Sequence, residues 1–65
     1  DSLVGRRAKV TSLIDNASGY GTVVLNGMEW TAAAADDSQV LKPGMLVMVK
    51  DIKGVKLIVE KEEEV

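Results

Sequence analysis

Gly19-Tyr20-Gly21-Thr22-Val23-Val24-Leu25-Asn26-Gly27-Met28-Glu29-Trp30-Thr31-Ala32 is the stretch whose reading decides the fold. Small and apolar residues alternate at Gly21, Val23 and Leu25, and the alternation resumes at Met28, Trp30 and Ala32. Asn26-Gly27 lies between the two runs. Asn-Gly is the strongest short hairpin signal, because a type I′ turn needs positive φ at both central residues. The parity places Met28, Trp30 and Ala32 on the core face and Tyr20 on the opposite one. The only Trp and the only Tyr of the chain both lie here.

Outward from this hairpin, Gly5, Gly19, Pro43-Gly44 and Gly54 cut the rest into short pieces. Strands are expected over 7–13, 19–25, 28–33, 46–52 and 56–60. Ala32 to Ala35 has helical propensity, but the run is too short and no apolar stripe extends it. Residues 34–43 therefore read as a long connection with room for one helical turn. Five strands with one apolar face each need closure to bury that face and remove exposed edges. The expected fold is all-β, a five-stranded closed Greek-key barrel (the OB-fold), with little or no helix. Residues 1–60 form the single domain and 61–65 a flexible acidic tail, solvated or offered to a basic partner.

Composition narrows the chemistry. Sixty-five residues make one domain that buries only about 60% of its unfolded surface, too little for a deep multi-residue active site. Cysteine and histidine are both absent, which removes disulfides, thiolate or imidazole metal ligation, and His-dependent catalysis. Asp36 and Asp37 are adjacent carboxylates in a polar loop, where neighbours point apart. Gly19-x-Gly21 lacks the third glycine of a dinucleotide fingerprint and reads as a pair of permissive positions where a barrel strand bends. Pro43-Gly44 is not a phosphate loop, and no Ser stands near a Lys in a catalytic arrangement. No enzyme activity, cofactor, metal or small-molecule substrate is expected.

A net charge of −2 and only two aromatic rings weigh against nucleic acid, which needs a basic groove and stacking platforms. Arg6, Arg7 and Lys9 read as a solvated strand edge. No apolar run reaches the roughly 18 residues of a membrane span. The chain starts at Asp1 and its first Met is Met28, so we expect a piece of a longer parent.

Strands four and five carry more apolar residues than one inward face needs. With Val47, Val49, Leu57 and Val59 inward, Leu46, Met48, Ile52 and Ile58 point outward, and Val24 is the corresponding excess on strand two. Val24, Leu46, Met48 and Ile58 are the expected protein-interaction surface, led by Met48 because its flexible thioether adapts to partners.

Several motifs occur in a fixed order: Leu3-Val4-Gly5-Arg6-Arg7-Ala8-Lys9-Val10, then Gly27-x-x-Trp30-x-Ala32, Leu41-x-Pro43-Gly44-x-x-Val47-x-Val49 and Gly54-x-x-Leu57-x-Val59. Over residues 3–60 this order resembles the C-terminal soluble domain of the NfeD family. The resemblance implies an OB-fold barrel joined to membrane-spanning segments outside this chain, which would supply any membrane contact. Longer members also carry a serine-protease-like domain, which nothing here matches. It further implies a module without chemistry of its own on the cytosolic face of the cell membrane. Its partner would be a stomatin, flotillin or prohibitin-type membrane scaffold protein, or a second copy of itself. No ligand-binding residues carry over, since the shared pattern is glycine, Trp and core aliphatics. The alternative function is an OB-fold that binds single-stranded nucleic acid.

Overall fold

A computed structural model describes residues 3–62. Five strands close a barrel: β1 (Arg7–Ser12), β3 (Gly21–Leu25), β4 (Met28–Ala34), β6 (Leu46–Lys53) and β7 (Lys56–Lys61). Their order around the barrel is β1-β3-β4-β7-β6, with β6 returning to β1. β4 and β7 run parallel and the other neighbours antiparallel. Two short strands, β2 (Ile14–Asp15) and β5 (Val40–Leu41), pair separately and lay Ile14 and Leu41 against the core. The expected five-strand barrel is there, and the described residues contain no helix.

The hairpin forms as its sequence dictates. Asn26 and Gly27 have φ of 55° and 76°, and the register runs from Leu25 opposite Met28 to Gly21 opposite Ala32. Val23, Leu25 and Ala32 are buried with Val47, Val49, Leu57 and Val59. The core is thus the inward parity of every barrel strand.

Parity fails at the barrel mouth. Met28, expected in the core, is 60% exposed, and Trp30 is only half-buried. The pairing of β4 with β7 starts at Thr31 opposite Lys56, so Met28 to Trp30 project past the end of β7 with no neighbour on that side. Trp30 still packs against the core, and its shielded Nε1 has no hydrogen-bond partner among the described residues.

Ile52 is the second departure. The β6–β7 register shifts between Val49 and Asp51, as one extra residue produces. Ile52 then stands opposite Leu57, on the inward parity instead of the expected outward one. It is nonetheless exposed, as expected of it, and lies one residue from the end of β6 at the β6–β7 turn.

Gly21 is required by a close approach. A Cβ there would collide with the carbonyl oxygens of Ser12 and Leu13 and with the Ile14 side chain. The connection after β4 contains no helical turn. Asp36 instead folds it tightly, accepting from the Ser38 N–H at 2.9 Å and the Ser38 hydroxyl at 2.7 Å, before β5 begins. At the other end, β7 runs through Lys61, and Glu62 donates its N–H to Leu46 O at 3.2 Å. The barrel therefore continues past the boundary expected at residue 60. The rest of the acidic tail, 63–65, lies outside the described residues.

Candidate interaction surface

The outer face is built from the residues that parity turns away from the core. Val24 on β3 and Leu46 on β6 both stand opposite Lys9 of β1, one on each side. Val24 is half-buried and Leu46 exposed. Met48, half-buried, comes next along β6, between Arg7 and Glu60. Both of those neighbours are ion-paired: Arg7 with Glu62 at 2.7 Å and Lys50 with Glu60 at 3.3 Å. An apolar strip across β3, β1 and β6 is thus interrupted by Lys9 and rimmed by charge. The Lys50–Glu60 pair is exposed at both ends and contributes little to stability, whereas Glu62 is largely shielded beneath Arg7.

Ile58 is not part of this strip. It lies opposite Ala33 on one side and Asp51 on the other, and it lines a separate open hollow of about 510 Å³. Leu46 lines a second hollow of about 470 Å³ with Gly44, Met45, Lys61 and Glu62. Val24 and Met48 line neither. The four expected residues therefore divide into three on one side of the barrel and one on another.

Apart from Ile58 and Tyr20, the residues around the larger hollow are ones that periodicity does not single out. Its floor is Ala33, Ala34, Ala35 and Ile58, where three alanines beside one isoleucine leave depth. One wall is the turn after β2. There the Asn16 amide bonds both backbone groups of Ala34, and Nδ2 also donates to Asp37 Oδ1 at 2.6 Å. The other wall is the β6–β7 turn with Lys53 and Lys56. Tyr20, 58% exposed as its parity predicts, carries the Lys56 ammonium 3.9 Å from its ring centroid, a cation–π contact. Val55, at the tip of the same turn, is 87% exposed. Lys53-Gly54-Val55-Lys56 reads in sequence only as a turn. A bare valine between two lysines at a hairpin tip was the available signal for this wall.

No group of acidic side chains among the described residues is placed to hold a metal ion. Among the described residues only Asp36 shows a shifted acidity, held below its ordinary 3.8 chiefly by the Ser38 hydroxyl and then by the Ser38 N–H.

A sequence model described as the NfeD-like C-terminal, partner-binding domain matches residues 1–61. Among curated proteins, none matches the chain. Three solved structures share its fold over nearly its whole length. The first is the soluble domain of a membrane protein implicated in regulation of membrane protease activity from Corynebacterium glutamicum. It is 38% identical, with a TM-score of 0.85 over 94% of each chain. The soluble domain of the NfeD protein YuaF from Bacillus subtilis is 31% identical, with a TM-score of 0.81 over 97% of this chain and 77% of that one. The C-terminal domain of stomatin operon partner protein 1510-C from Pyrococcus horikoshii is 24% identical, with a TM-score of 0.83 over 95% and 91%, and shares the fold. With the barrel, the motif order and the family match over 1–61 in agreement, this chain belongs to the NfeD-like C-terminal, partner-binding domain family.

Proposed function

We propose that this barrel is a non-enzymatic protein–protein interaction domain of a membrane-anchored parent, facing the cytosol. Its partner is a stomatin, flotillin or prohibitin-type membrane scaffold protein. The observation that carries this reading is membership, over residues 1–61, of a family described as partner-binding. The relatives from Corynebacterium and Bacillus are soluble domains, the former explicitly of a membrane protein, which supports the anchored parent. The Pyrococcus protein is a stomatin operon partner, which makes stomatin-type scaffolds the first to test. Val24, Leu46 and Met48 supply the primary contact strip, and Ile58 contributes from the separate hollow on another side of the barrel.

The test is capture of a full-length stomatin-type scaffold by the immobilised domain, wild type against Met48→Asp and Ile58→Asp. Capture by the wild type and loss in Met48→Asp supports the strip. Equal capture by both variants removes it.

A further inference from the structure

The larger hollow is rimmed by two cations that no carboxylate neutralises among the described residues. Neither Lys53 nor Lys56 is in an ion pair among the described residues, and Lys56 is held over the Tyr20 ring at the rim. The facing wall offers no free donor. The Asn16 Nδ2 protons are committed to Ala34 O at 2.9 Å and to Asp37 at 2.6 Å. A ligand therefore meets cations on one side, a satisfied polar wall on the other, and an Ala-rich aliphatic floor between them.

We infer that this hollow binds an extended peptide segment carrying a carboxylate beside an aliphatic side chain. The carboxylate lies between Lys53 and Lys56, where charge-assisted hydrogen bonds form to ammonium donors. The aliphatic group rests on Ile58 and Ala35, and the segment runs past the exposed edge of Tyr20, a residue suited to interfaces by its apolar body and polar tip. This deepens the partner-binding reading and rests on it, by giving the partner a chemistry.

Charge and shape select this ligand over two others. Two ammonium groups and the Asp37 carboxylate leave the hollow with one net positive charge. That suits a single carboxylate and disfavours a run of phosphates, for which Tyr20 alone is also too small a stacking platform. A concave site also does not fit a flat bilayer surface.

The experiment is an NMR titration of the isotope-labelled chain at physiological salt. Its probes are a short capped peptide of alternating valine and glutamate, the same peptide with glutamine for glutamate, and an oligothymidylate. Saturable amide shifts are expected at Tyr20, Ala35, Lys53 and Lys56 with the glutamate peptide. Affinity falls about tenfold for the glutamine peptide, and about tenfold again when Lys53→Glu and Lys56→Glu are combined. Ala35→Trp, at an exposed position, fills the hollow and abolishes the shifts while the spectrum stays dispersed. Equal binding of the two peptides, shifts gathered at Leu46 and Met48, or tighter binding of the oligothymidylate would overturn the inference. Scaffold capture by the same variants separates the two claims. Capture retained by the doubly reversed variant refutes the hollow as the partner site and leaves the partner-binding reading intact. Peptide binding in the hollow without any capture of scaffold upholds the hollow and counts against that reading.

Discussion

The Asn16 side chain takes the place of a strand beside Ala34. Its Oδ1 accepts from the Ala34 N–H at 3.0 Å, and its Nδ2 donates to the Ala34 carbonyl at 2.9 Å. The need arises because β3 stops pairing with β4 at Gly21 opposite Ala32, while β4 continues to Ala34. One amide side chain thus satisfies both polar groups of a buried residue and ties the turn after β2 to the barrel. Asn16→Ala leaves both unpaired and is expected to cost about 2 kcal/mol in urea unfolding. A cost indistinguishable from zero would mean that the turn is held by other contacts.

Gly21 makes a sharper prediction. The atoms that a Cβ would strike include two backbone carbonyls, which cannot move without opening β1. Gly21→Ala is expected to destabilise by about 3 kcal/mol, at the upper end of overpacking costs. Gly27→Ala, at a turn open to solvent, suffers only its positive φ and serves as the milder comparison.

Trp30 buries an indole N–H without a partner among the described residues. Leaving a buried donor unmade costs about 1–3 kcal/mol. Trp30→Phe removes that penalty together with some apolar contact, so the variant should unfold within about 0.5 kcal/mol of wild type by circular dichroism. A loss of several kcal/mol would show that the N–H is satisfied in solution.

Asp36 governs the acid response of its loop. Its acidity is strengthened by the Ser38 hydroxyl first and the Ser38 N–H second. Because the folded value lies below the unfolded one, the associated stability is present above the ordinary Asp value of 3.8 and is lost as pH falls through the folded value. Carboxyl-detected NMR should find Asp36 titrating below that ordinary value, and Ser38→Ala should move it upward. An unchanged Asp36 in the variant would contradict the assigned cause.

The sequence made the barrel legible wherever one strand's own alternation met a regular partner. Asn26-Gly27 placed the hairpin, and the inward parity of Val23, Val47, Val49, Leu57 and Val59 is the parity of the core. It misled where a residue's environment depends on how far a distant strand extends. Met28 has the periodicity of a core residue, but β7 begins only opposite Thr31. The alternation turns Ile52 outward, but the bulge before it sets it opposite Leu57, and an inserted residue leaves no mark in the hydrophobic pattern. The strands β2 and β5, two residues each, were invisible because pairs that short have no periodicity. The hollow was hidden for a related reason. Asn16, Tyr20, Ala35 and Lys53 are brought together by topology across β4, and nothing in their spacing joins them. The candidate strip was read more fully, since Val24, Leu46 and Met48 each follow from parity within a single strand.

The central claim is that this chain is a partner-binding barrel, and the most direct measurement is its dissociation constant for a purified stomatin-type scaffold protein at physiological salt. Saturable binding by the wild type, weakened at least about tenfold by Leu46→Asp combined with Met48→Asp in a still-folded variant, is the predicted result. No binding to the scaffold, together with salt-sensitive binding to a single-stranded oligonucleotide, would contradict it.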